Sequence, residues 1–372
     1  MVRLKRDTGS EWTARRSAEN KVTLLVPTKN HSDLLIRLLK YYSSTNFQGY
    51  ICIGDSSDDG HLHATREVIQ KLQGGLNIVH REYPGLNISA CMTELTSLVT
   101  TDYVAALMDD DFLVPRSLGQ CALFLEGHPG YSAAHGMAIL FGLNSHGAYG
   151  DFVWADRYLQ RPIEGETGAE RLLDHLSNYS VTLFSVHRVE SWLGMWRNAS
   201  QAPARAISEE LLPGCLSVIP GKIKDLGCLY LLRQIHNRRA LHHDIFDELT
   251  SSAWPSSYEI FRDCLAGALA QQDAISLDEA RAVVKKAFWS YLARGLSSKW
   301  QERYAGIDGI LGFRLRRFAG NIPGFRRTWH QIRSFFPGDG NKISLSALVR
   351  PSSPYHADFM PVYQAVTKRL GE

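Results

Sequence analysis

Tyr103-Val104-Ala105-Ala106-Leu107-Met108-Asp109-Asp110-Asp111 is the stretch on which the fold turns. Tyr103 to Met108 is a short apolar run of the length and type of a buried strand. It runs straight into three adjacent carboxylates. Pro115 then suits the first turn of a helix, about Arg116 to Glu126. The same alternation holds upstream. Val22 to Val26 (VTLLV) reads as a buried parallel strand closed by Pro27. Ser32 can cap a helix whose apolar positions are Leu34, Leu35, Leu38 and Leu39. Tyr50 to Gly54 is a second strand, followed by a helix from about His63 to Leu72. Leu76 to His80 is a third strand, and a helix over about Ile88 to Val99 precedes Tyr103. Strands joined by such helices predict an α/β fold with a mostly parallel, Rossmann-like sheet.

In such a sheet, ligands bind beyond the carboxyl ends of the strands. Three of these ends carry polar groups: Thr28 to Asn30, Asp55 to Asp59, and Asp109 to Asp111. Three neighbouring carboxylates repel one another unless a cation is present. Mg²⁺ and Mn²⁺ accept carboxylate and phosphate oxygens together. In an extended segment Asp109 and Asp111 would point one way and Asp110 the other. The bland alternative is a solvated acidic turn in which Asp111 caps the next helix. Pro27-Thr28-Lys29-Asn30 can present backbone groups and small side chains to a flat base, or be a plain turn. Asp55-Ser56-Ser57-Asp58-Asp59-Gly60 can accept from a base edge, or cap a helix.

The ordered set PTKN, DSSDDG and MDDDFLVP resembles the inverting, family 2 type glycosyltransferases of the GT-A fold. That family shows P-T-x-N-R, then D-D-x-S, then L-D-x-D-D-x-x-x-P. The resemblance covers roughly residues 21 to 240. It implies that Pro27, Thr28 and Asn30 line a nucleotide pocket and that Asp55 contacts the base. It implies that Asp109 meets the ribose or metal, that Asp110 belongs to the donor site, and that Asp111 is the principal ligand of Mn²⁺ or Mg²⁺. The donor implied is a UDP- or GDP-sugar and the acceptor a glycan or glycoconjugate. The chain departs from the family at His31, at Ser56-Ser57, at Phe112 and at Met92-Thr93-Glu94.

Inverting transfer needs a base opposite the leaving diphosphate. The family places that carboxylate at the start of a downstream helix, where Ser208-Glu209-Glu210 fits, with Ser208 as cap. Glu210 is favoured over Glu209, since the family uses the second acidic residue of such a pair. Two acids at a helix N-terminus also complement its dipole. Leu232-Arg233-Gln234-Ile235-His236 offers His236 as a third metal ligand and Arg233 as a diphosphate contact. His242, His243 and Lys222 are weaker candidates.

Beyond Tyr131 the pattern is mixed. Strands are expected at Ala133–Phe141 and Val181–Val186, and helices at Ala169–Leu176, Ile207–Ser217 and Leu226–Ile235. Ser251 to Ser257 reads as a boundary before helices at Glu259–Ala270 and Leu277–Leu296. The expected division is a tail at 1–20, a GT-A domain at 21–255 and a mainly helical extension at 256–372.

The chain has 372 residues, 44% hydrophobic and 21% charged, as packed globular proteins do. Its 41 basic and 38 acidic residues leave +3, which argues against whole-surface nucleic-acid binding. No stretch reaches the roughly 18 apolar residues of a membrane span. The six cysteines form no CxxC, and the polar N-terminus has no signal-like apolar core. A cytoplasmic location is expected. Between Lys299 and Arg333, arginines interleave with Phe313, Phe318, Phe325 and Trp329. They suit either peripheral contact with an anionic inner membrane face or a solvated helix. Two other functions stay open. A sugar-phosphate nucleotidyltransferase would carry a Gly-rich basic loop where this chain has PTKNHSD. The other is a non-catalytic nucleotide-sugar-binding or scaffold protein.

Overall fold

The computed structural model describes residues 18–145, 147–238, 245–304 and 343–367. β1 (Val22–Thr28) is buried along its whole length. It feeds α1 (Ser32–Ser44), whose Leu34, Leu35, Leu38 and Leu39 are all buried. Each stabilises the fold by about 1.5–3 kcal/mol relative to exposure. His31, not Ser32, is the cap residue of α1, and Ser32 Oγ lies 2.8 Å from His61 Nδ1 instead. β2 (Tyr50–Asp55), α2 (Asp59–Leu72), β3 (Asn77–Glu82), α3 (Ile88–Thr96) and β4 (Tyr103–Ala106) complete the first half. β1 pairs in parallel with β2 and β4, and β2 with β3. Thr28 lies opposite Asp55, so these strand ends are level.

β5 (Asp111–Leu113), α4 (Pro115–Gly127), β6 (Tyr131–Leu143) and β7 (Phe152–Tyr158) follow. After them come α5 (Gly168–Ser177), β8 (Val186–Arg188), α6 (Val189–Trp196), α7 (Leu212–Val218) and β9 (Lys222–Ile235). Among the described residues one sheet runs β3-β2-β1-β4-β8-β6-β9-β5, with β7 also on β6. β1 to β4, β6 and β9 run one way; β5, β7 and β8 run the other. The sheet is therefore mostly parallel, as expected.

Leu226–Ile235 is a strand, not the expected helix. Leu229 to Leu232 are fully buried, and β9 pairs with β6 and with β5. A short apolar run enclosed on both faces carries no period that separates strand from helix. The strand expected at Val181–Val186 begins only at Val186.

The C-terminal segments pack into the cores of the sheet. α8 (Ile245–Thr250), α9 (Trp254–Asp273) and α10 (Leu277–Tyr304) are followed by α11 (Leu345–Val349) and α12 (His356–Thr367). Phe261, Leu265 and Leu269 of α9 and Val284 and Phe288 of α10 share one buried cluster with Leu172, Trp192 and Cys215. Asp273 accepts from the N–H groups of Gly168 and Ala169, both at 2.8 Å, and so caps α5. Phe359, Val362 and Val366 of α12 join the cluster containing Leu35 and Leu38 of α1. The division expected at 255/256 thus runs through shared cores. Phe359→Ala is expected to lower stability by about 3–5 kcal/mol in chemical denaturation. An unchanged midpoint would show that α12 does not hold this core.

The tail at 1–17, His242 and His243, and residues 305–333 of the basic aromatic stretch lie outside the described residues. Among the described residues no helix is long and apolar enough to cross a membrane.

Candidate active site

The strand ends open onto a cleft of about 740 Å³. Pro27 and Thr28 line it from β1, Asn30 from the loop that follows, and Asp109 and Asp110 from the turn after β4. Glu209, Glu210, Arg205, Arg233 and Arg238 line it as well. These residues are far apart in sequence, and the sheet brings them together.

The aspartate triplet is not extended. β4 stops at Ala106, and the Asp111 N–H turns back to the Met108 carbonyl at 3.1 Å. Alternation along a strand therefore does not apply, and each carboxylate takes a different environment. Asp109 Oδ2 accepts from Thr28 Oγ1 at 2.6 Å, and its Oδ1 lies 3.3 Å from His31 Nδ1. Burial pushes the Asp109 carboxyl up, and the Asp109 hydrogen bond in turn raises His31. Asp110 Oδ2 lies 3.0 Å from His236 Nε2. The Arg238 N–H donates to His236 Nδ1 at 3.2 Å, which leaves Nε2 as the ring nitrogen facing Asp110. Asp111 is fully enclosed on β5 and does not line the cleft. Its Oδ2 accepts from Arg233 Nε at 2.8 Å.

Arg37 fixes the triplet from below. This buried arginine donates to the Asp110 carbonyl at 3.0 Å, to the Ala148 carbonyl at 2.6 Å and to Gln234 Oε1. Burial lowers its pKa to about 10, which still leaves it charged at neutral pH. Arg233 is held between aromatic faces, 4.9 Å from the Tyr158 ring centre and 4.3 Å from that of Phe184. Burial opposes its charge, but Asp111, Tyr158 and Asp110 together outweigh it and raise its pKa. Arg238 reaches Asp33 on α1 with both terminal nitrogens, at 3.2 and 2.8 Å.

Asn30 adopts the left-handed conformation (φ 57°). Its side chain donates to Asp58 Oδ2 at 2.9 Å and accepts from the Asp58 N–H at 2.8 Å. It therefore staples the loop after β1 to the loop after β2. Asp55 is buried behind the lining, where Ser56 stands in front. Burial pushes its carboxyl up, but bonds from His80 and Ser57 outweigh this and hold it low.

Glu209 and Glu210 sit on a π-helical turn, Ile207–Leu211. The Leu212 N–H reaches the Ile207 carbonyl, and Pro213 has no N–H to give Glu209. An α-helix cannot run unbroken through that position, and such turns recur at functional sites. Ser208 makes no cap, because Ala206 is already helical. Glu209 holds Arg205 through both oxygens, each at 3.0 Å. Glu210 Oε1 accepts from the neutral phenol of Tyr179 at 2.9 Å.

Among the described residues no group of three or more His, Cys, Asp and Glu side chains stands ready to hold a metal. A divalent ion shared with a diphosphate needs only one or two carboxylates. Asp109 and Asp110 line the cleft and fit that part. Asp111 does not line it, being enclosed and paired with Arg233, and His236 Nε2 lies 3.0 Å from Asp110 Oδ2 behind the lining. Of the expected ligands Asp109, Asp111 and His236, Asp109 is the one that lines the cleft. Lys222, at the far end of β9, pairs with Glu166 at 2.7 Å and does not line the cleft.

Sequence reasoning passed over Arg205 and Arg238 and gave Tyr158 and Tyr179 no individual role. Arg205 stood four residues before Glu209, a helical pairing distance that could have been noticed. The others carry no local signal.

The fold and cleft define an α/β protein whose strand ends gather carboxylates against arginines. No protein-family model and no curated protein matches the chain. Among solved structures it is similar to residues 1–349 of S. aureus TarS, at 12% identity and TM-score 0.48, covering 93% of this chain and 88% of that one. It covers 54% of a longer TarS chain. It is also similar to a mannosyltransferase from Pyrobaculum calidifontis in complex with GDP-Man and Mn²⁺, at 12% identity and TM-score 0.38, covering 84% of each chain. A third is glucosyl-3-phosphoglycerate synthase from Mycobacterium tuberculosis, at 13% identity and TM-score 0.36, covering 74% of this chain and 86% of that one.

Proposed function

We propose that this protein is a GT-A-type glycosyltransferase. It moves a sugar from a UDP- or GDP-sugar to a hydroxyl of a glycan or glycoconjugate, with inversion. The supporting observation is one cleft that gathers Asp109 and Asp110, Glu209 and Glu210, and three arginines. The motif resemblance points to Asp109, Asp110, Glu209 and Glu210 for the same chemistry; it also points to Asp111, which does not line the cleft.

In this reading Glu210 takes the proton of the acceptor hydroxyl. The acceptor oxygen bonds to the anomeric carbon as the bond from that carbon to the diphosphate oxygen breaks, and the electron pair leaves with the nucleoside diphosphate. Glu209 is the poorer base, because both its oxygens are committed to Arg205. Arg233, fixed between two rings, stabilises charge on the departing diphosphate. When bound, Mn²⁺ or Mg²⁺ supplies further positive charge there; Asp109 and Asp110 are the residues that would hold it.

The test is a thermal-shift panel of UDP and GDP with and without Mn²⁺. Stabilisation is expected only with metal present, and about 2.7 kcal/mol at a hundredfold excess over Kd. A flat response to every nucleoside diphosphate would overturn the reading.

A further inference from the structure

Tyr179 follows the end of α5, and its hydroxyl donates to Glu210 Oε1 at 2.9 Å. Burial raises the Tyr179 pKa well above the usual phenol range, so it stays a donor at neutral pH. Its place is set by α10. The Tyr291 ring meets the Tyr179 ring edge-on, with centroids 5.3 Å apart and planes at 78°. One turn further on, Arg294 donates to the Ser177 carbonyl at 2.9 Å and to Asn178 Oδ1 at 2.8 Å. Residues three apart share one helix face. That face thus grips both the Tyr179 ring and the backbone leading into it.

A carboxylate acting as base must keep its oxygen aimed at the proton it takes, and small misplacements are costly. We infer that the C-terminal helix α10 is a positioning element of the active site, holding Glu210 through Tyr291, Arg294 and Tyr179. This rests on Glu210 being the base. Tyr179 and Tyr291 are positioning residues; neither is required to touch substrate. The extension beyond residue 255 thereby acquires a function in the reaction.

The experiment compares full-length Tyr179→Phe, Tyr291→Leu, Tyr291→Phe and Arg294→Ala, measuring kcat and donor Kd separately. Tyr179→Phe and Tyr291→Leu are expected to lower kcat at least tenfold, with donor Kd changed less than twofold. Tyr291→Phe keeps the ring and is expected to restore kcat. Arg294 is exposed, so Arg294→Ala should leave the fold intact and lower kcat severalfold. Unchanged kcat in Tyr179→Phe and Arg294→Ala, beside an inactive Glu210→Gln, would overturn the positioning role alone. Full activity in Glu210→Gln would instead remove the base assignment beneath it.

Discussion

Glu210→Gln is expected to lower kcat by about 10²- to 10⁴-fold, the range of a general base, while the Kd for the donor stays within twofold. The substitution removes the proton acceptor and keeps an amide oxygen able to take the Tyr179 hydroxyl bond. Shape and packing on the π turn are preserved, so the loss is one of chemistry. Glu209→Gln should act differently. It releases Arg205 from a two-pronged ion pair and adds positive charge to the cleft. Its effect should fall on donor affinity and on stability more than on kcat. Single-turnover measurements with saturating donor separate the two variants. If Glu209→Gln abolished turnover and Glu210→Gln did not, the base would be Glu209 and Arg205 its partner in the ground state.

The parallel half of the sheet was legible because its strands are short apolar runs whose ends carry the polar groups. That pattern placed Thr28, Asp109 and Asp110 on one rim, and they line one cleft. What failed did so for identifiable reasons. The alternation assigned to Asp109 and Asp111 presumed extended backbone, and the chain turns at Met108. β9 was misread because Leu229 to Leu232 are buried all round. The π turn depends on a missing N–H at Pro213, which was visible as a residue but not as a hydrogen-bond pattern. The link from α10 to Tyr179 joins residues more than a hundred positions apart, and no periodicity encodes such a contact.

The aspartate triplet should come apart under mutation. Asp111→Ala is expected to lower the stability of the ligand-free protein by about 3–5 kcal/mol, because it leaves a buried guanidinium without its partner. Arg233 would keep the Tyr158 and Phe184 faces, but those rings do not replace a carboxylate. Asp109→Asn should do the opposite. Burial already disfavours the charge on Asp109, so its folded pKa lies above the unfolded one and ionisation weakens the fold as pH rises. Neutralising it costs little stability, and the amide oxygen still accepts from Thr28. What Asp109→Asn should lose is the Mn²⁺-dependent stabilisation by nucleoside diphosphate. Urea unfolding of both variants without ligand, followed by thermal shifts with UDP or GDP and Mn²⁺, gives the comparison. If Asp111→Ala unfolded at the wild-type midpoint yet lost the metal response, Asp111 would be a ligand after all, and its pairing with Arg233 a state that metal binding displaces.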